Sequence, residues 1–145
     1  TEGGIDLAAD PASIKRAVSA LRHGGIFVAL FIDPEPESVK TARKVEADAV
    51  EIHTGMYANA RSEASISRER ERVTHAARLA ARLGLHVHAG HGLTYANVGA
   101  VAAIPEMEEL NIGHAIVSRA LFTGMTQAVR EMKERIASAR IQPGA

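Results

Sequence analysis

Short, nearly continuous apolar runs alternate along this chain with longer stretches in which apolar residues return every third or fourth position. The first of these stretches opens at Asp10-Pro11, an N-cap followed by proline at the first helical position. Ile14, Ala17, Val18 and Leu21 then predict one apolar stripe on a helix that Gly24-Gly25 stops. Ile26 to Ile32 (IFVALFI) is short and rich in strand formers, and predicts a strand buried on both faces. Asp33-Pro34 ends it, and a helix from about Glu35 to Val45 follows.

The alternation continues. Ala49 to His53 predicts the second strand, ended by Thr54-Gly55 and followed by a long loop through Ala60. A helix from about Ser65 to Leu83 places Ile66, Val73, Ala77, Ala80 and Leu83 on one face. Leu85 to Ala89 is the third strand, leading into Gly90-His91-Gly92, and Thr94 is the expected cap of a short helix with Val98, Val101 and Ala102. Leu110 to Ile112 is the fourth strand, leading into Gly113-His114 and a helix over about Ala115 to Leu121. Gly124 interrupts the pattern before a last amphipathic helix carrying Val129, Met132, Ile136 and Ala139, and Arg140 to Ala145 reads as a frayed tail.

Strict strand–helix alternation means a parallel sheet with helical crossovers. An open doubly wound sheet and part of a (β/α)8 TIM barrel both fit. The strand ends favour the barrel. Asp33, Glu51 with His53, Gly90-His91-Gly92 and Gly113-His114 put polar or glycine-rich residues after four strands in succession, as a barrel mouth would. The four strands are therefore expected to be strands 5–8, with residues 1–145 forming the C-terminal part of one barrel domain. Thr1-Glu2-Gly3-Gly4 does not resemble a translation start, so earlier strands are expected upstream.

Composition narrows the function classes. Apolar residues make up 46% of the chain, a globular level. Seventeen basic and seventeen acidic side chains leave a formal net charge of zero, which supplies no reason to expect nucleic acid or an anionic membrane as partner. Aromatics are only 3%, which disfavours base-stacking platforms. Cysteine is absent, so thiolate chemistry is excluded. No apolar run approaches the roughly 20 residues of a membrane helix.

The chemistry is then sought at the strand ends. In Val50-Glu51-Ile52-His53, alternation sends Val50 and Ile52 to the helices and Glu51 with His53 to the opposite, inward face. A carboxylate there is either a charge-stabilising or acid–base group, or half of an ion pair in a polar layer. His91 stands between two glycines that let the backbone approach a ligand, and imidazole exchanges protons near neutral pH. An idle turn histidine is the alternative. Gly113 and His114 precede a helix whose first amides are free to hold a phosphate, unless they form a plain helix entry. His88 is expected in an inward layer, and His23, His75 and His86 at the surface or core edge. No recognised metal spacing is present, so no metal is expected. No lysine ends a strand, which disfavours Schiff-base chemistry. The mixed-charge run from Arg61 to Arg72 reads as a solvated helix face.

Taken together, TEGGIDL, FIDPE, EIHTGMYANA, HAGHGLTYANV and IPEMEELNIGHAIVSRALFTG resemble the pyridoxine 5′-phosphate synthase family, over essentially the whole chain. The resemblance implies a cytoplasmic (β/α)8-barrel enzyme that assembles as an octamer. It implies joining of 1-deoxy-D-xylulose 5-phosphate to 3-amino-2-oxopropyl phosphate, with release of phosphate and water, and no metal or organic cofactor. By motif it makes His91 the proton donor and Glu51 the transition-state stabiliser, with Gly92, Gly113 and His114 holding the aminoketone phosphate. The family's other acid–base histidine and glutamate belong to strands upstream of Thr1, so these residues alone are expected to be inactive. His88 departs from the asparagine of some relatives. A half-barrel that only binds phosphate or a complementing half is the alternative.

Overall fold

The computed structural model describes residues 3–141. Helix α1 (Pro11–His23) is followed by β1 (Ala29–Ile32), α2 (Pro36–Lys44), β2 (Ala49–His53), α3 (Gly55–Asn59) and α4 (Glu63–Arg82). Then come β3 (His86–Gly90), α5 (Val98–Ala102), β4 (Glu109–Asn111), α6 (His114–Thr123) and α7 (Met125–Ile141). The four strands form one sheet in the order β1-β2-β3-β4, every neighbouring pair parallel.

Alternation along the strands separates two faces. Ile32, Val50, Ile52, Val87 and Ala89 are fully buried against Val39 and Ala42 of α2 and Val73, Ala76, Ala77 and Ala80 of α4. Each fully buried aliphatic of this size stabilises the fold by about 1.5–3 kcal/mol. The small helix-side residues let α4 lie close to the sheet. On the opposite face, Phe31, Glu51, His88 and Glu109 fall in register across all four strands. That face is partly open: Phe31, Glu51 and His88 are half-buried, and Ala29, Glu109 and Asn111 are exposed.

Several expectations need correction. The first strand begins at Ala29, not Ile26, and is not buried on both faces. Ile26 and Phe27 are 53% and 55% exposed, because four strands do not enclose an interior. On α1, Asp10 does cap the helix, its carboxylate accepting from the Ser13 amide at 2.9 Å, but only Val18 of the stripe is fully buried. The loop after β2 contains α3. Ile66 is exposed, lying in the N-terminal turns of α4 before the helix reaches the core. Asn97, rather than Thr94, is the N-cap residue of α5. The mixed-charge run is not uniformly solvated: Glu69 is buried, pairs with Arg72 at 2.6 Å and Arg68 at 3.1 Å, and Arg72 continues to Glu35 before α2. Arg140 belongs to α7 and donates to the Met107 carbonyl, so the helix runs further than expected. The remainder of the expected tail, 142–145, lies outside the described residues, as do Thr1 and Glu2. Gly124 separates α6 from α7 at a φ of 79°, where a side chain would be strained.

Candidate active site

Because all four strands are parallel, their carboxyl ends lie along one edge of the sheet. This is where parallel α/β proteins place their chemistry. Asp33 follows β1, His53 and Thr54 end β2, Gly90, His91 and Gly92 end β3, and Gly113 with His114 follow β4.

His53 is 5% exposed, and its Nδ1 lies 3.0 Å from Asp33 Oδ1. The same Asp33 oxygen accepts the Gly4 amide at 3.1 Å, while the Ile5 amide reaches the Phe31 carbonyl at 2.8 Å. The segment around Gly4 is thus stitched to the end of β1. Glycine is needed there: a Cβ at position 4 would stand 2.3 Å from the Asp33 amide nitrogen. The His53 ring meets Phe31 edge-on at 5.1 Å and the His91 ring at 4.8 Å.

The loop after β3 carries the most constrained backbone of the site. His91 has a φ of 76°, a left-handed conformation uncommon for a side-chain-bearing residue, and Gly92 follows at 77°. Thr54, fully buried, holds the loop. Its amide donates to the Gly90 carbonyl at 2.8 Å, and its hydroxyl lies 2.7 Å from the carbonyl oxygens of both Gly90 and His91. Helix α3 presses on the loop from the other side, where a Cβ on Gly92 would fall 2.6 Å from that of Ala58. His91 itself is exposed, open to a ligand.

Glu51 lies beside this loop. A Cβ on Gly90 would come within 2.4 Å of Glu51 Oε1, so the missing side chain at Gly90 leaves the space the carboxylate occupies. The sheet register pairs Glu51 with His88, whose Nδ1 is 3.8 Å from Glu109 Oε1 and whose ring stacks on Phe27 at 6.2 Å. His88 therefore sits in the open-face layer, one alternation below the loop, while His23, His75 and His86 are exposed.

On the next strand, Asn111 pairs with Gly90, so Gly113 and His114 follow the strand end adjacent to the one that carries the His91 loop. Both are exposed, at the N-cap and first position of α6. The Val117 amide to Gly113 carbonyl bond, 3.0 Å, is the first turn of that helix, so the preceding amides point outward unpaired within the helix. Such a terminus favours an anion. No group of three or more His, Asp or Glu side chains among the described residues is arranged to hold a metal ion. A cavity of about 690 Å³ lined by Tyr95, Arg119, Glu131 and Arg135 lies at α6 and α7 and contains none of the strand-end groups.

The structure thus sets Glu51 against Gly90, the residue before His91 and Gly92 in the loop, and puts Gly113 and His114 after the neighbouring strand. Sequence reasoning missed Asp33 as a partner of His53, Thr54 as the clamp on the loop, and Gly55. Gly55 sits under both imidazoles: a Cβ there would lie 2.5 Å from His53 Nε2 and 3.1 Å from His91 Cδ2. The signal for Thr54 was present in its position immediately after a strand end, but its acceptors lie 36 and 37 residues away.

The chain is similar to known proteins over most of its length. The chain is 50% identical over 139 residues to the pyridoxine 5′-phosphate synthase of Syntrophotalea carbinolica, covering 96% of this chain and 58% of the relative. It is 51% identical over 132 residues to the protein of that name from Trichlorobacter lovleyi, covering 91% and 55%. The corresponding Geotalea uraniireducens protein is 48% identical, covering 94% and 57%. The chain therefore spans little more than half the length of these relatives. Among solved structures, a chain of the Amycolatopsis orientalis BexX/CysO complex superposes with a TM-score of 0.64 at 15% identity, over 92% of this chain and 51% of that one, a likeness of fold alone. The family model described as pyridoxal phosphate biosynthesis protein PdxJ matches residues 1–138, and the chain belongs to that family.

Proposed function

We propose that this chain is strands 5–8 of a (β/α)8 barrel, and that the protein carrying it is a pyridoxine 5′-phosphate synthase. The reaction would condense 1-deoxy-D-xylulose 5-phosphate with 3-amino-2-oxopropyl phosphate to give pyridoxine 5′-phosphate, phosphate and water. The observation that carries the reading is about half-identity to three proteins of that name over more than nine-tenths of this chain. The site geometry supports it. Condensing an amine with a ketone and then eliminating water needs repeated proton transfers near neutral pH, which suit the exposed imidazole of His91 as donor. Glu51, beside the same loop, stabilises positive charge developing on the condensing nitrogen. The amides of Gly92, Gly113 and His114 hold the aminoketone phosphate and keep the reacting ends together. The substrates are small and phosphorylated, no metal or organic cofactor takes part, and the protein works as a cytoplasmic homo-oligomer, an octamer in the family.

The test is to supply both phosphorylated substrates to the protein that carries these residues, and to measure pyridoxine 5′-phosphate and inorganic phosphate. Product in stoichiometric amount, abolished by His91→Asn, is expected. Tight binding of the aminoketone phosphate without any product would overturn the synthase reading. It would favour the second one, a half-barrel that binds phosphate or a complementing half.

A further inference from the structure

The Nε2 atom of His53 is buried and has no hydrogen-bond partner among the described residues, and the acid–base scheme above makes no use of it. Buried polar atoms are rarely left unpaired in native proteins. Its other ring nitrogen is committed: Nδ1 faces Asp33 Oδ1 at 3.0 Å, and Asp33 is itself held by the Gly4 amide. A carboxylate can only accept, so the ring proton of neutral His53 is on Nδ1 and Nε2 presents a lone pair. That lone pair looks into the gap above Gly55, and so does the Cδ2 edge of His91. The two rings are 4.8 Å apart between centroids and inclined at 65°.

We propose that His53 is a positioning residue for His91: its Nε2 accepts an N–H of the His91 imidazole across the Gly55 gap, with Asp33 fixing the tautomer that allows it. This rests on the reading of His91 as proton donor. The terminal torsion of a histidine is soft, so the His91 ring is free to turn about it and offer a nitrogen to the gap in place of its Cδ2 edge. Once the His91 imidazolium gives its proton to substrate from the outward nitrogen, the proton on the inward nitrogen remains hydrogen-bonded to His53. The outward nitrogen is then left as the lone pair that takes the next proton. No proton passes to His53. Without His53, the neutral ring divides between two tautomers, one of which presents N–H where a base is required.

The experiment compares His53→Phe, which keeps a ring but removes the acceptor, with His53→Gln, whose amide offers N–H to Asp33 and a carbonyl near the place of Nε2. Both are made in the complete protein that carries this chain. Steady-state kinetics are combined with long-range ¹H–¹⁵N spectra of histidine ring nitrogens. In the wild type, His53 is expected protonated at Nδ1 and His91 in a single neutral tautomer. His53→Phe is expected to lower kcat by about tenfold or more, a part of the usual acid–base contribution, at unchanged KM. It is also expected to split the His91 tautomers, and His53→Gln to restore most of both. Wild-type kcat in His53→Phe, equal losses in the two variants, or a His53 proton on Nε2 would each overturn the proposal. If the wild type makes no product, the synthase reading fails by itself and the spectra decide: one His91 tautomer lost in His53→Phe upholds the positioning role, and an unchanged His91 removes it.

Discussion

The Thr54 hydroxyl lies 2.7 Å from the carbonyl oxygen of His91, as it does from that of Gly90. One hydroxyl carries one proton, so it serves the two carbonyls in turn, while the Thr54 amide holds Gly90 permanently. These bonds tie the end of β2 to the left-handed turn that presents His91. Thr54→Val keeps the shape and the amide bond to Gly90 but takes the hydroxyl away from the His91 carbonyl. It is expected to cost about 1–3 kcal/mol in chemical denaturation, with Thr54→Ser much closer to wild type. A Thr54→Val protein as stable as wild type would remove the clamp from this account.

Gly90→Ala tests the seating of Glu51. The added methyl would come 2.4 Å from Glu51 Oε1 and 3.0 Å from the Asn111 carbonyl. The carboxylate is the far end of a flexible side chain and can swing aside, so the fold is expected to survive with a loss of about 1–2 kcal/mol. Turnover is expected to fall by at least about tenfold as the stabilising charge is displaced. Parallel thermal melts and kinetics check the separation.

Gly92→Ala should affect stability and binding together. Its φ of 77° costs an alanine about 1 kcal/mol or more, and the new methyl would meet Ala58 at 2.6 Å. The loop would lift from α3, and the KM for the aminoketone phosphate is expected to rise more than kcat falls. An unchanged KM would place the phosphate elsewhere.

Glu69 supplies a pH dependence. Burial raises its pKa, but hydrogen bonds and charge from Arg68 and Arg72 outweigh this and hold it below its ordinary value of 4.5. A depressed folded-state pKa contributes stability above pH 4.5, lost as the pH falls through the lower folded value. Glu69→Gln is expected to cost about 1–3 kcal/mol at pH 7, between surface and buried ion pairs, and to flatten the acid side of the melting curve. The check is Tm against pH for both proteins; parallel curves below pH 4.5 would contradict it.

Much of this was legible without coordinates. The order of strands and helices follows from apolar periodicity, because local dihedrals and the face each side chain occupies repeat with local spacing. The same alternation placed Glu51 and His53 together on the face away from the helices, and the glycines marked the loop at His91. The ends of elements were less legible. Ile26 and Phe27 read as buried strand because apolar residues look alike whether another layer covers them or not. Glu69 read as solvated because its neighbours are charged, yet those charges are the partners that permit its burial.

By itself, then, the sequence determined which segments become strands and which residue types, imidazole, carboxylate and glycine, stand toward their carboxyl ends. Only the tertiary structure decided that Asp33 meets His53 across 20 residues and that Thr54 meets the His91 carbonyl across 37. It also decided that His91 adopts a φ of 76° and faces an imidazole whose Nε2 has no partner among the described residues. The physical reason is range. Periodicity and capping act within a few residues of the chain, whereas these contacts are set by the parallel register of β1, β2 and β3, which no local pattern specifies.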